Sequence, residues 1–244
     1  MTLAAHAAEP RGRKMNDIPY RAALIIGAGP GVGASLARRF SAAGLKVGVA
    51  ARDAQRLAPI AAATGAEGFA ADATDPASVA ALFEVAEAKL GEIDVVVYNA
   101  GARIRGALAE LDPEAVRRAF DVNAFGGFLV AREAAKRFEK LGRGALFFTG
   151  ATSSLKAYAI SAPFAMGKFA LRALAQSAAR ELGPKGVHVA HIVIDGVIRD
   201  AGRVDPADAT LEPDAIADAY VDLLRQKRSA WSFEVELRPW CEKF

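Results

Sequence analysis

Short apolar runs alternate with segments of helical spacing along the chain after residue 20. The run at 22–27 is apolar up to a glycine, and the segment at 33–44 that follows has apolar residues at the spacing of one helix face. The run at 93–101 has apolar residues at the consecutive positions 95–98, which is typical of a strand buried on both faces of a parallel sheet. The pattern predicts strands at 22–27, 45–51, 66–71, 93–101, 144–150, 186–194 and 231–237.

Helical segments separate these predicted strands. Asp75 and Asp112 each precede a proline, which is the expected arrangement of a helix N-cap with proline in the first turn. The predicted helices lie at 33–44, 53–65, 75–91, 112–142 (one helix or two), 163–183 and 212–227. Repeated strand–helix–strand units with near-continuous apolar strands place helices on both faces of the sheet. The sequence therefore predicts a doubly wound parallel α/β (Rossmann) fold, as one domain over 21–244.

Composition agrees with a single folded domain. The chain has 244 residues, of which 52% are hydrophobic, enough to bury a sizeable core. We expect residues 1–20 to form a disordered extension, although their basic residues leave a transit-peptide interpretation open. No apolar run reaches the roughly 18 residues that a membrane helix requires. We therefore expect a soluble protein without a membrane partner.

Charge and residue usage exclude several classes of function. The net charge is only +3 and the basic residues are scattered, so a nucleic-acid partner is not expected. Cys241 is the only cysteine, which rules out an intrachain disulfide and favours the reducing cytoplasm. The histidines, His6, His188 and His191, form no metal-binding spacing with it, so no metal is expected. The sequence also gives little support for a hydrolase, because the Gly-x-Ser-x-Gly elbow is missing.

The first glycine-rich turn is a candidate ligand site, because ligands of doubly wound sheets bind beyond the carboxyl ends of the strands. The turn reads GAGPGVG at 27–33 and joins the first predicted strand to a helix. Gly27, Gly31 and Gly33 would let the backbone, with Val32, approach a pyrophosphate at the helix N-terminus. Glycines also serve tight strand–helix packing, but the strand before and the helix after favour dinucleotide binding.

The end of the second predicted strand indicates which dinucleotide is bound. Enzymes that use NAD usually place an acidic side chain there to bind the ribose hydroxyls. This chain has Ala51 followed by Arg52, whose guanidinium can bind the 2′-phosphate of NADP with two hydrogen bonds. The alternatives are that Arg52 is a solvated surface side chain and that Asp53 contacts the ribose instead. We predict NADP(H) in preference to NAD(H).

The motifs together resemble one enzyme family. The spacing Gly27-x-x-x-Gly31-x-Gly33, with YNAG at 98–101 and DVNAFG at 121–126, is similar to that of the short-chain dehydrogenases/reductases. The resemblance covers nearly everything from residue 21 onward. It implies an oxidoreductase that transfers hydride between a nicotinamide cofactor and a small carbonyl or alcohol substrate.

The resemblance assigns roles at the cofactor's adenosine end. Asn99, Ala100 and Gly101 match the segment that stabilises the sheet beside the adenine ribose. Asp72 matches the residue that contacts adenine. The simpler alternatives are that Asn99 ties strand ends together and that Asp72 caps a loop.

The resemblance also assigns roles at the nicotinamide end. Asn123 matches the catalytic asparagine, which supports a proton-relay water, and Lys168 matches the lysine that holds the nicotinamide ribose. Gly196 and Ile198 match backbone that lines the nicotinamide, although Asp195 stands where the family has proline. The simpler alternatives are that Asn123 is a kink residue inside a helix and that Lys168 reaches to the surface.

Two catalytic hydroxyls of the family are missing. The family's reactive tyrosine lies four residues before the lysine, and that position is Phe164. The serine position, 13 residues before Phe164, is Ala151. A carbonyl reductase that takes its proton from water or another side chain remains possible, and so does a dinucleotide-binding sensor or scaffold with little turnover. Nearby hydroxyls that could orient a substrate are those of Thr149, Thr152, Ser153 and Ser154. Tyr158 and Ser161 lie close by in sequence, but neither is four residues before Lys168, and a tyrosine such as Tyr158 is more often a packing residue than a displaced acid.

Two helices carry apolar residues outside the single face that would pack on the sheet, which predicts association between copies of the chain. Family members pair through the two helices at 112–141 and 163–183, so we expect a homodimer or homotetramer here. The residues that would form this interface include Phe125, Phe128, Phe169, Leu171 and Leu174.

Overall fold

Seven strands form one parallel sheet, in the order β3-β2-β1-β4-β5-β6-β7. They come from a computed structural model that describes residues 18–200 and 202–243. The sheet order reverses between β1 and β4, which is the switch point where doubly wound sheets bind ligands. The predicted fold class is confirmed. The strands are β1 Ala22–Ile26, β2 Lys46–Ala51, β3 Glu67–Ala70, β4 Val95–Tyr98, β5 Gly144–Thr149, β6 Val187–Ile194 and β7 Glu234–Leu237.

Helices cover both faces of the sheet, and two of them begin at the predicted caps. Asp75 accepts hydrogen bonds from the first-turn N–H groups of α3, and Asp112 does the same for α4. Such caps each stabilise a helix by about 1 kcal/mol. The helices are α1 Val32–Ala42, α2 Ala58–Thr64, α3 Pro76–Leu90, α4 Pro113–Phe120, α5 Gly126–Leu141, α6 Ala162–Leu182 and α7 Pro213–Arg225.

Two apolar layers lie on opposite faces of the sheet. Successive side chains of β4 alternate between them: Val95 and Val97 pack towards α1 and α7, whereas Val96 and Tyr98 pack towards α3, α5 and α6. Because both layers are buried, the strand shows no polar position, which explains why the sequence reads as a continuous apolar run. The described segment before β1 joins one layer through Ile18 and Tyr20. Residues 1–17 of the predicted extension lie outside the described residues.

The segment predicted at 112–142 is two helices joined by a single π-helical turn, Asp121–Phe125. Wide turns of this kind interrupt the regular helical ladder and are frequent at functional sites. The turn packs against α6 because Gly167 lacks a side chain there; a Cβ at Gly167 would lie 2.4 Å from the Cβ of Asn123. The interruption therefore depends on a close approach between the two helices.

The structure corrects one predicted interface residue. Leu171 is fully buried in the core between α6 and α5, not exposed on the outer face of α6. It fills space that Gly127 leaves open, since a Cβ at Gly127 would lie 2.5 Å from Leu171 Cδ1. Phe125, Phe128 and Phe169 are exposed. In the described part of the chain, no helix has both the length and the apolar character needed to cross a bilayer.

Candidate active site

A cavity of about 760 Å³ opens beyond the carboxyl ends of the central strands. It brings together most of the predicted site residues from both halves of the chain. Arg52, Asp72, Ala100 and Asn123 do not line it. The predicted residues that do are Gly27, Gly31, Val32, Gly33, Asn99, Gly101, Ala151, Phe164, Lys168, Gly196 and Ile198.

The glycine-rich turn is held against the end of β4. Gly27 has a φ of +83°, and a Cβ there would lie 2.3 Å from the backbone nitrogen of Ala100. The Asn99 side-chain amide donates to the Gly27 carbonyl at 2.9 Å. Asn99 thus ties the turn to the strand, as the simpler of its two interpretations predicts. A side chain at 27 would push the two segments apart.

The turn leads directly into α1, whose N-terminus faces the cavity. Gly31 precedes the helix and supplies no side-chain cap, so first-turn N–H groups are left for another acceptor. A Cβ at Gly29 or Gly31 would meet no atom within 4 Å, whereas a Cβ at Gly33 would lie 2.7 Å from Ala28 Cα. Open space before a helix N-terminus fits the pyrophosphate of a dinucleotide.

Two of the predicted adenosine contacts lie at the ends of β2 and β3. Arg52 is exposed at the end of β2, and its charge helps to lower the pKa of Asp72. The main cause of that lowered pKa is hydrogen bonding to Thr74, whose N–H and hydroxyl donate to Asp72 at 2.9 and 2.8 Å. Asp53 accepts from the Gln55 N–H and caps a short helical turn. The two carboxylates are engaged locally, whereas Arg52 points into solvent.

Asn123 lies fully buried behind the cavity wall, in the π-helical turn. Its amide makes two hydrogen bonds with the backbone of Ala102: Nδ2 donates to the carbonyl at 2.7 Å, and Oδ1 accepts from the N–H at 3.0 Å. A Cβ at Gly101 would lie 3.5 Å from Asn123 Oδ1 and 3.8 Å from Lys168 Nζ. Asn123 therefore fixes the loop after β4 just behind the lysine.

Lys168 reaches the cavity from α6 through the protein interior. It is 4% exposed, and its ammonium donates to the Thr149 carbonyl at 2.8 Å. Burial lowers the pKa of Lys168 to about 8. The Phe164 ring, one turn earlier on the helix, has its centroid 5.7 Å from Lys168 Nζ. The partners of the lysine are thus a backbone carbonyl and an aromatic ring that carries no hydroxyl.

Some of the candidate hydroxyls are already engaged. Thr149 shares a 2.8 Å hydrogen bond with Tyr220, and Thr152 donates to the buried Asp195. Ser154 accepts from the N–H of Ala151 at 3.2 Å. Ser153, Tyr158 and Ser161 line the cavity, and Ser161 makes no capping hydrogen bond with α6.

Three charged side chains at the cavity were not predicted. Arg103 and Arg105 come from the loop after β4, and Glu242 comes from the end of the described chain. The sequence held a signal for the arginines, because loops that follow the carboxyl end of a central strand border the ligand site. No comparable signal marks Glu242, which lies far from every motif.

A buried histidine supports the cavity floor. His191 Nδ1 lies 2.9 Å from Glu234 Oε2, and Arg172 binds the same carboxylate. A Cβ at Gly150 would lie 2.3 Å from His191 Nε2, so the floor fits closely over the ring. Burial lowers the pKa of His191 below its ordinary value. It is a packed histidine, fully buried beneath the cavity. Within the described residues, no cluster of histidine, cysteine and carboxylate side chains could hold a metal ion.

The sheet order, with its reversal between β1 and β4, defines a Rossmann-type α/β protein. A family model described as short chain dehydrogenase matches residues 21–203. The chain belongs to the short-chain dehydrogenase/reductase family, which confirms the resemblance seen in the sequence.

Known proteins of this family are similar over most of the chain. The 1-deoxy-11-beta-hydroxypentalenate dehydrogenase of Streptomyces exfoliatus is 38% identical over 193 residues, which are 76% of this chain and 68% of the relative. A short-chain dehydrogenase structure from Rhodopseudomonas palustris is 36% identical, with a TM-score of 0.79 over 91% of this chain and 100% of that one. A metagenomic short-chain oxidoreductase in complex with NADP is 29% identical, with a TM-score of 0.79 over 90% and 97% of the two chains.

The buried lysine makes the stability of the cofactor-free protein depend on pH. The Lys168 pKa is about 8 in the folded chain against 10.5 ordinarily. Between these values the unfolded chain binds more protons, so stability rises with pH. Relative to Lys168→Met, the wild type should gain on the order of 2 kcal/mol of unfolding free energy between about pH 7 and about pH 10.

Urea denaturation across this pH range measures the difference between the two proteins. Lys140→Met, at an exposed position on α5, is the matched control and should track the wild type. A difference between wild type and Lys168→Met that stays constant with pH would contradict the shifted pKa.

Proposed function

We propose that this protein is an NADP(H)-dependent oxidoreductase that acts on a small carbonyl or alcohol with an incomplete set of the family's catalytic groups. When bound, the reduced cofactor supplies a hydride to the carbonyl carbon, whose oxygen takes a proton to give the alcohol. The observation that carries the proposal is Lys168, a buried ammonium at the cavity into which the glycine-rich turn opens.

The chain's own residues would hold the cofactor along the cavity. The turn and the N-terminus of α1 bind its pyrophosphate, and Lys168 binds the nicotinamide ribose. Arg52 pairs with the 2′-phosphate, and the complex of the metagenomic relative with NADP supports this choice of cofactor. The other residues that we assign to the cofactor are Asp72 at adenine, Asn99, Ala100 and Gly101 beside the ribose, and Gly196 and Ile198 at the nicotinamide.

The reacting oxygen would lie near Lys168 and Phe164. Phe164 occupies the position of the family's tyrosine, and Ala151 that of its serine, so neither supplies a hydroxyl. Lys168 stabilises negative charge in the cavity, and Asn123 fixes the loop behind it. The proton then comes from water or from a hydroxyl of the cavity wall.

The missing hydroxyls also favour a second candidate function. A dinucleotide-binding protein with little or no turnover, acting as a sensor or scaffold, needs the glycine-rich turn but no proton donor. Turnover over a panel of carbonyl compounds with NADPH separates the two functions. A cytoplasmic location remains a prediction from the single cysteine, Cys241, which is exposed.

We also propose that α5 and α6 form a dimeric interface. Phe125, the last residue of the π-helical turn, stacks with Phe128 of α5 at a centroid distance of 6.0 Å, and both are exposed. Met166 and Phe169 are exposed on α6. Four exposed apolar side chains on adjacent helices form a patch that association would bury.

Assembly is tested by light scattering at micromolar protein concentration. The wild type should be a dimer or a tetramer, and Phe128→Glu with Phe169→Glu should reduce its mass towards that of a monomer. Val85→Glu, at an exposed position on α3, is the control and should leave the mass unchanged. A wild type that is stably monomeric would contradict the proposed interface.

Cofactor choice is tested by Arg52→Ala. Because a charge-assisted hydrogen bond to the 2′-phosphate is lost, NADPH binding should weaken by about 1.5–3 kcal/mol, and NADH binding should change little. Nucleotide fluorescence titration measures both affinities, and Arg56→Ala, at an exposed neighbouring position, is the control. Equal losses for both cofactors, or a wild type that binds NADH more tightly, would show that Arg52 does not select the phosphate.

The missing acid is tested by Phe164→Tyr. A positioned general acid contributes about 10²–10⁴-fold to a rate. Phe164→Tyr should therefore increase ketone reduction, and Ala151→Ser combined with it should add to the gain. NADPH affinity should stay nearly constant, because the ring keeps its packing.

The complementary variant is Tyr158→Phe, which removes an exposed phenol of the cavity wall. It should leave any basal rate unchanged if water supplies the proton. A wild type that reduces ketones at ordinary enzymatic rates, with no gain from Phe164→Tyr, would show that another group is the acid. Loss of that activity in Tyr158→Phe would identify it.

A further inference from the structure

Two arginines of the cavity wall have no role in the function proposed above. Arg103 and Arg105 lie two residues apart on the loop after β4, and both line the cavity. The Arg103 guanidinium carbon lies 5.8 Å from the centroid of the Phe164 ring. Lys168 Nζ lies at a similar distance from the same ring. Arg103 is therefore beside the position where a carbonyl would react.

The loop that carries these arginines is fixed at both ends. Asn123 binds both backbone groups of Ala102, and the Gly106 N–H donates to the Ile160 carbonyl at 3.1 Å. A short loop anchored on both sides of Arg103 and Arg105 presents their guanidinium groups from a defined place. Pre-positioned side chains lose less conformational entropy when a ligand binds.

Neither arginine forms an ion pair with a carboxylate among residues 18–200 and 202–243, at a nitrogen–oxygen distance of 4.0 Å or less. Ten of the 19 arginines in the described part of the chain do have such a partner. The acidic side chain that lines the cavity is Glu242, whose Oε2 would lie 3.4 Å from a Cβ at Gly196. The arginines that pair with carboxylates are Arg38, Arg39, Arg117, Arg118, Arg137, Arg143, Arg172, Arg199, Arg225 and Arg238.

We propose that Arg103 and Arg105 bind a carboxylate of the substrate, so that the site acts on oxo acids or hydroxy acids instead of neutral carbonyl compounds. Guanidinium groups are suited to a carboxylate because they donate two parallel hydrogen bonds. The proposal deepens the proposed oxidoreductase function, on which it rests. The cofactor's phosphates are the other possible anions, but the glycine-rich turn and Arg52 serve those, and neither lies against Phe164.

Binding of matched acids and esters tests the proposal without turnover. The probes are pyruvate, acetoacetate and levulinate, each with its methyl ester, titrated by calorimetry into the full chain with and without NADP⁺. At least one acid should bind about tenfold or more tightly than its ester. Arg103→Gln and Arg105→Gln should each weaken that acid by about tenfold and leave the ester and NADP⁺ unchanged. Arg103→Lys should recover part of the loss.

Arg132→Gln is the matched control, because Arg132 is an exposed arginine on α5 outside the cavity wall. Equal binding of acids and esters, or no binding of any acid, would overturn the proposal. Weaker NADP⁺ binding in the Arg103 and Arg105 variants with unchanged acid binding would assign the arginines to the cofactor and overturn it as well. The wild type could also bind an acid through both arginines and fail to bind NADP⁺. That result would support the carboxylate site and overturn the proposed oxidoreductase function.

Discussion

A positive charge is held in the interior of this protein by one backbone carbonyl. The ammonium of Lys168 has three N–H groups that can donate hydrogen bonds, and the Thr149 carbonyl accepts one of these bonds. Removing an ammonium from water is costly unless polar partners replace the water. The cavity is where further partners for this ammonium can bind. The same cost lowers the pKa of the lysine, because burial disfavours its charged form.

The cavity exists because backbone segments approach one another where side chains would not fit. Gly167 admits the π-helical turn, Gly101 leaves room in front of Asn123 and Lys168, and Gly150 covers His191. Gly101 and Gly150 each follow a strand, whereas Gly167 joins α6 to the π-helical turn. Tyr98 adds to this arrangement by donating a hydrogen bond from the end of β4 to the Val122 carbonyl in the π-helical turn.

Periodicity and caps were enough to predict the strands, their parallel arrangement and most helix limits, since β4 is buried on both faces and Asp75 and Asp112 are true N-caps. The glycine-rich turn was also predictable, because its glycines lie close together in sequence between a strand and a helix. Leu171 was not, because its burial depends on the missing side chain of Gly127 in another helix.

The shape of the site depends on contacts across the fold that no local pattern encodes. The pairing of Asn123 with Ala102 joins positions 21 residues apart. Arg103 gains its place beside Phe164 from that pairing and from the anchor at Gly106. Spacing indicates which residues meet at a strand end, but it does not indicate which charged side chains remain without partners there.

The segment after β7 borders the cavity, although it lies far along the chain from the glycine-rich turn and from Lys168. Glu242 lines the cavity, and the Trp240 side chain donates a hydrogen bond to the Ala207 carbonyl in the loop after β6. Substitutions in this segment therefore alter the wall of the cavity, although they lie outside every sequence motif.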